Sequence, residues 1–276
     1  MTDRYAVIGH PVAHSQSPGI HAMFAAQTGE DIAYGRLLAP VDGFAEWVKA
    51  FIAEGGRGVN VTLPFKLEAY ELADEVSERA RQARAANTLS FSGKKISADN
   101  TDGIGLVRDI EINLEFELKN KRVLLMGAGG AARGVLLPLL EARPARLIIA
   151  NRTVERAIQL ARSVRRQPAA AHMEVSACAF DDLPGQRFEL VINATSSSLS
   201  DELPPLPDDL FVAGALAYDM MYGKGLTSFL AYAEARNVER LADGLGMLVE
   251  QAAESFMIWR GVRPDTQPVM LALRKS

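Results

Sequence analysis

The chain has 276 residues, of which 48% are hydrophobic and 23% charged, and its net charge is −4. This length allows one large domain or two of roughly 150 residues each, and the balance is that of a globular chain rather than a disordered one. A net acidic chain is no nucleic-acid binder, because neutralising phosphates takes an excess of Lys and Arg, and with no run near the ~20 apolar residues of a membrane span a cytoplasmic protein is expected.

In chain order, the first third alternates strand and helix patterns: YAVIG before PGIHAMFAAQTG, IAYGRLLA before VDGFAEWVKAFIAEGG, and GVNVTL before FKLEAYELAD. Such interleaving implies parallel βαβ units, since each parallel return needs a crossover. NTLSFS and KKISA follow as a hairpin with Gly93 at its turn. DNTDGIGLVRDI then opens a helix that the Asp or Thr ahead of its apolar run can cap. From Lys121 the pattern restarts with RVLLMGAGGAARGVLLPLLEA, RLIIANRTVERAIQLARS, MEVSACAF, FELVINATSSS and FVAGALAYDMMYG, a second βαβ series that predicts a separate sheet. The amphipathic pattern GLGMLVEQAAESFMIW closes the chain as a helix. Cys178 is the single cysteine and reads as a small buried residue, while His10, His14, His21 and His172 lack metal-ligand spacing, so no metal is expected.

Residues 127–132, GAGGAA, match the dinucleotide fingerprint between a strand and a helix. Gly127 permits the tight turn, Gly129 admits the pyrophosphate, and Ala132 lets helix and strand pack closely; Ala128, Gly130 and Ala131 complete the loop. The next strand ends in Asn151, Arg152 and Thr153, with Arg156 one turn on and no acid at the strand end. An acid there would read a ribose 2′-hydroxyl, whereas arginine pairs with a 2′-phosphate, so the expected cofactor is NADP. Ser15 and Ser17 precede a helix started by Pro18; Ser17 can be its N-cap, but two hydroxyls at one helix start also suit a carboxylate.

VIGHPVAHSQSP, GVNVTLPFK, AANTL, DNTDGIG, GAGGAARG, ANRT, INATSS, YDMMYG and ADGLGMLVEQAA together resemble, in order and spacing, the motifs of the shikimate dehydrogenases. The resemblance spans nearly the whole chain and implies reversible NADPH-dependent reduction of 3-dehydroshikimate to shikimate in aromatic amino-acid (chorismate) biosynthesis. It implies two α/β domains: an N-terminal substrate domain with a mainly parallel sheet, residues 1–102 completed by 245–276, and a Rossmann-type NADP-binding domain, residues 103–244. The C-terminal helix would return to the first domain. By the same resemblance, Ser15 and Ser17 bind the substrate carboxylate with Thr62 and Tyr222 nearby, and Lys66, Asn87 and Asp102 bind the ring hydroxyls. Gln251 and Gly244 complete the site, and Met220 contacts the nicotinamide. Lys66 is the proton donor and acceptor, paired with Asp102.

Quinate or dual quinate/shikimate dehydrogenases share this pattern, as does a non-catalytic sensor for NADP or a metabolite, although a sensor would be free to lose Lys66 or Asp102. A Schiff base on Lys66 is a further option. The partner expected is a small molecule, with no nucleic acid or membrane, and monomer and homodimer both remain open. Departures from the family pattern stand at His10, Arg84, Ser198 and Ser228.

Overall fold

The computed structural model describes residues 2–195, 203–223 and 225–275. Two compact units result, one of Met1–Gly105 with Leu248–Ser276 and one of Leu106–Met247. The divisions fall inside two helices.

The first unit runs β1 (Asp3–Gly9), α1 (Ser17–Thr28), β2 (Ile32–Leu38), α2 (Phe44–Ala53), β3 (Gly56–Val61), α3 (Lys66–Leu72), β4 (Glu75–Val76), α4 (Glu78–Ala83), β5 (Thr88–Ser92), β6 (Lys95–Asp99) and the start of α5 (Asp102–Arg108). Its sheet has the order β2-β1-β3-β5-β6-β4. Strands β1, β2 and β3 are parallel, and β5 runs antiparallel to both β3 and β6. Gly93, at φ 61°, turns the β5–β6 hairpin. The carboxyl ends of β1 and β3, the start of β5 and the end of β6 therefore share one sheet edge.

Side chains alternate across each strand, so one face of this sheet buries Ala6, Ile8, Val59 and Val61 against Phe44, Val48 and Phe65. Ile20 and Phe24 of α1 pack with Val249, Ala252 and Phe256 of α9 (Leu245–Arg260) in a second cluster. Ion pairs tie α9 down further. Arg79 bonds Asp99 and Glu254, and Arg263 bonds Glu250 and Glu254 at 2.6 and 2.7 Å.

The second unit runs β7 (Arg122–Met126), α6 (Gly130–Glu141), β8 (Arg146–Ala150), α7 (Val154–Val164), β9 (Glu174–Cys178), β10 (Phe188–Asn193), β11 (Phe211–Asp219), α8 (Ser228–Glu234) and β12 (Arg240–Ala242). All six strands are parallel in the order β12-β11-β10-β7-β8-β9. Val123, Leu125, Leu147 and Ile149 fill one side and Leu124, Met126, Ile148 and Ala150 the other, so both faces are covered as parallel sheets require. Chain order reverses between β7 and β10, which is the Rossmann switch point, where ligands bind in open α/β sheets. The last helix is α10 (Gln267–Leu273). Among the described residues, no helix is long and apolar enough to cross a membrane.

Several sequence expectations need correction. Gln16, not Ser17, is the N-cap of α1 and makes no side-chain cap bond; Ser17 is the first helical residue, and its N–H donates to Ser15 Oγ at 3.3 Å. At α5 the Asp102 N–H donates to Asn100 Oδ1 at 3.1 Å. Cys178 is only half-buried, and its thiol is pushed up to about 11, chiefly by that burial.

Arg84 ends α4 in the left-handed region at φ 49°, a conformation that glycine adopts without a Cβ penalty. Ser228 is the first residue of α8 behind the N-cap Thr227, a position that accepts proline equally well. His10 Nδ1 lies 2.9 Å from the Ala39 carbonyl. Ser198 lies outside the described residues.

Candidate active site

Strand β3 ends at Val61, and Thr62 follows as the chain turns through Pro64 into α3, whose first residue is Lys66. Opposing the dipole of its own helix, the Lys66 ammonium is compensated by Asp102, the first residue of α5, with Nζ 2.5 Å from Oδ2. The other Asp102 oxygen accepts from Asn87 Nδ2 at 2.8 Å, so both carboxylate oxygens are held. Asn87, buried just ahead of β5, also donates to Gln251 Oε1 on α9 at 3.2 Å. Thirty-six residues separate the lysine from the aspartate, and the shared sheet edge brings them together.

Ser15 and Ser17 stand at the start of α1, on the loop that leaves β1 at this same edge. Arg36 Nη2 donates to the Ser15 carbonyl at 2.7 Å and steadies the loop. Thr62 lies against it: a Cβ on Gly9 would overlap the Thr62 methyl, and the His10 N–H donates to the Leu63 carbonyl at 2.9 Å. Beneath Ser17, burial pushes the Tyr34 phenol well above 10, against the opposing pull of the Ser17 hydroxyl. Tyr34 Oη donates to Asn60 Oδ1 at 2.7 Å. His21, four residues after Ser17, is fully buried with its ring stacked on Tyr34 at 4.2 Å, and burial lowers its imidazole to about 3.

The predicted cofactor residues lie in the second unit at the carboxyl ends of its parallel strands. Gly127, after β7, adopts φ 107°, and a Cβ there would come within 3.0 Å of the Ala194 carbonyl oxygen, so no other residue fits. Ala128 and Ala132 are buried, whereas Gly129, Gly130 and Ala131 are exposed. Nothing lies within 4 Å of a Cβ built on Gly129 or Gly130, and no side chain caps α6. Its first-turn N–H groups are thus presented to an open cradle that suits a diphosphate.

After β8, Asn151 Nδ2 donates to the Thr153 carbonyl at 2.8 Å and folds the turn into α7. Thr153 is the N-cap but makes no side-chain cap bond. Arg152 and Arg156 are exposed, with no ion-pair partner among the described residues. Uncapped amides plus two free guanidinium groups are a donor set that fits a dinucleotide carrying a 2′-phosphate.

Met220 follows β11, and its backbone would collide with any Cβ on Gly244, so a glycine is required there. Tyr222, 41% exposed, lies in the loop after Met220. The structure thus assembles Lys66, Asp102, Asn87 and Gln251 directly, and it pairs Ser15 with Ser17. Tyr222, Met220 and Gly244 belong to the second unit.

Sequence reasoning missed Asn60, Thr101 and Ser255, which bond around Asn87 and Thr88, and Tyr34, which bonds Asn60. The only available signal was polarity at positions where the strand and helix patterns demanded burial, as in Asn60 between Val59 and Val61.

A Rossmann unit with a diphosphate cradle, joined in one chain to an α/β unit bearing a lysine–carboxylate pair, defines a class of two-domain NADP-linked oxidoreductases. Within that class, the chain belongs to the shikimate dehydrogenase family. Residues 7–89 match the shikimate dehydrogenase substrate binding domain, 110–200 the shikimate / quinate 5-dehydrogenase family, and 244–274 the shikimate 5′-dehydrogenase C-terminal domain.

A shikimate dehydrogenase (NADP(+)) from Nitrosospira multiformis is 59% identical over 276 residues, 100% of this chain and 98% of the relative. The crystal structure of an Ael1 enzyme from Pseudomonas putida is similar at TM-score 0.93 and 52% identity, covering 99% of this chain and 98% of that one. Shikimate 5-dehydrogenase from Thermus thermophilus, solved in complex with NADP(H) and shikimate, is similar at TM-score 0.86 and 32% identity, covering 99% of each chain.

Proposed function

We propose that the protein is a cytoplasmic shikimate dehydrogenase that reversibly reduces 3-dehydroshikimate to shikimate with NADPH, a step of chorismate and aromatic amino-acid biosynthesis. The observation that carries this reading is the Lys66–Asp102 pair at 2.5 Å, with the second carboxylate oxygen held by Asn87. Residues 1–102 with 245–276 form the substrate domain, and residues 103–244 hold the cofactor through Gly127–Ala132, Asn151–Thr153, Arg156, Met220 and Gly244.

When bound, the nicotinamide supplies hydride to the carbonyl carbon of the substrate. Negative charge then develops on the carbonyl oxygen, and the Lys66 ammonium offsets that charge and donates one Nζ proton to it. Asp102 aims the ammonium, and because Asn87 occupies its other oxygen the carboxylate does not swing away. In the direction of shikimate oxidation the same nitrogen receives the proton. Ser15 and Ser17, with Thr62 and Tyr222, bind the carboxylate, and Asn87 and Gln251 orient the ring so that few of the bound poses are unproductive.

Lys66→Ala tests the assignment. Loss of a positioned general acid is expected to lower kcat by about 10² to 10⁴, while the NADP dissociation constant, set by residues of the other unit, stays the same. Near-normal turnover by the variant would remove Lys66 from the mechanism. Borohydride trapping with 3-dehydroshikimate is expected to leave Lys66 unmodified, and a covalent adduct would replace proton donation with imine chemistry.

A further inference from the structure

Ser255, one turn beyond Gln251 on α9, is fully buried. Its hydroxyl lies 3.0 Å from the Gln251 carbonyl, the i−4 acceptor that a serine within a helix commonly uses. A local bond of that kind does not account for the others. The same oxygen accepts from Asn60 Nδ2 at 3.0 Å and lies 2.8 Å from Thr88 Oγ1 and 3.3 Å from Thr101 Oγ1. One helical hydroxyl therefore meets polar groups of β3, β5 and the segment entering α5.

These contacts bear on the amide of Asn87. Its Oδ1 accepts from Thr88 Oγ1 at 2.9 Å, from Thr101 Oγ1 at 3.1 Å and from the Thr101 N–H at 2.9 Å. Nδ2 faces Asp102 Oδ1, Gln251 Oε1 and, at 2.9 Å, Thr101 Oγ1, so the Thr101 hydroxyl touches both ends of the amide and the Thr101 N–H and Thr88 hydroxyl are the donors that mark the oxygen. A flipped amide would set its oxygen against the Asp102 carboxylate and its nitrogen against the Thr101 N–H, which are two repulsive contacts in a buried site. The Thr88 hydroxyl keeps its single proton on Asn87 while donors meet its lone pairs: Asn60 Nδ2 at 3.3 Å is one, and Ser255, 2.8 Å away, is the other when its one proton points to Thr88 and not to the Gln251 carbonyl.

We propose that Ser255 is a positioning residue for the reaction: through Thr88 it helps hold Asn87 in the amide orientation that keeps Asp102 aimed at Lys66, and it registers α9 so that Gln251 meets Asn87. The inference rests on the reading of Lys66 and Asp102 as the proton-transfer pair. It assigns Ser255 no contact with substrate.

Two readouts test it, one of them independent of turnover. In isotope-labelled protein without substrate, hydrogen exchange of the Asn87 side-chain amide reports its hydrogen bonding directly. Ser255→Ala is expected to speed that exchange and to lower kcat for shikimate oxidation, each by roughly tenfold for one buried hydrogen bond. KM for shikimate and the NADP dissociation constant are expected to stay within about twofold, a split that general loosening of the fold does not produce. Ser255→Thr, which keeps the hydroxyl, restores both quantities.

Thr88→Val removes the same link from β5 with nearly unchanged shape, and it carries the test if Ser255→Ala fails to fold. Unchanged Asn87 exchange and kcat in Ser255→Ala overturn the proposal, as does an equal loss in the Ala and Thr variants. If the unmodified protein does not oxidise shikimate, the functional reading fails, and the Asn87 exchange rates still decide the orientation claim.

Discussion

Acidification from pH 7 to pH 5 should destabilise this protein through one group, His21. Its ring is fully buried against Tyr34, with Phe24, Phe256 and Trp259 around it. Burial lowers the imidazole from its ordinary 6.5 to about 3, so the folded protein keeps it neutral across this interval. The unfolded chain takes up a proton near 6.5, so between the two values the unfolded state binds more protons and stability falls as the pH falls.

Linkage over these two pH units gives a loss of about 2 kcal/mol from this group alone. The other three histidines, His10, His14 and His172, are exposed. Urea unfolding of the unmodified protein and of His21→Leu at both pH values isolates the effect, because the packing cost of removing the ring is the same at each pH and cancels. The unmodified protein should lose about 2 kcal/mol more than the variant. Equal losses in the two proteins would refute the claim that His21 is held neutral by burial.

Two other perturbations probe the cofactor turn and a strained helix end. Arg152→Ala should weaken NADPH roughly 10- to 100-fold, the worth of a charge-assisted bond, and leave NADH nearly unchanged; equal losses measured by fluorescence titration would exclude a 2′-phosphate contact. Arg84 is exposed with φ 49°, so Arg84→Gly should relieve left-handed strain and raise unfolding stability by about 0.5 to 1 kcal/mol, while a decrease in denaturant midpoint would mean the arginine side chain has a stabilising role.

The long elements were legible because their chemistry is local. Apolar alternation in RVLLM and RLIIA, with a glycine-rich turn after the first, specified parallel strands and a diphosphate cradle within a few residues. The short β4, α4, α8 and β12 were not recognised, since runs of two to seven residues carry too little periodicity to separate from loop.

At the site, nothing local in the sequence ties Lys66 to Asp102, which on its own also suits a helix cap. Only the family resemblance joined them across 36 residues, and the sheet edge gives that pairing its physical reason. The sequence allows Ser17 as a cap because it shows a serine before a proline but not which residue leaves helical geometry first; that residue is Gln16. The bond from Asn60 to Ser255 spans 195 residues, and no local pattern encodes a contact of that kind. His21 carried a weak signal, a lone polar residue one turn after Ser17 on a helix face bound for the core.

The most direct test of the whole account is spectrophotometric: purified protein with shikimate or quinate, each with NADP or NAD, followed at the absorbance of the reduced nicotinamide. Shikimate with NADP should give the fastest of the four rates by a wide margin. No reduction of NADP by shikimate, or a faster rate with quinate or NAD, would contradict it.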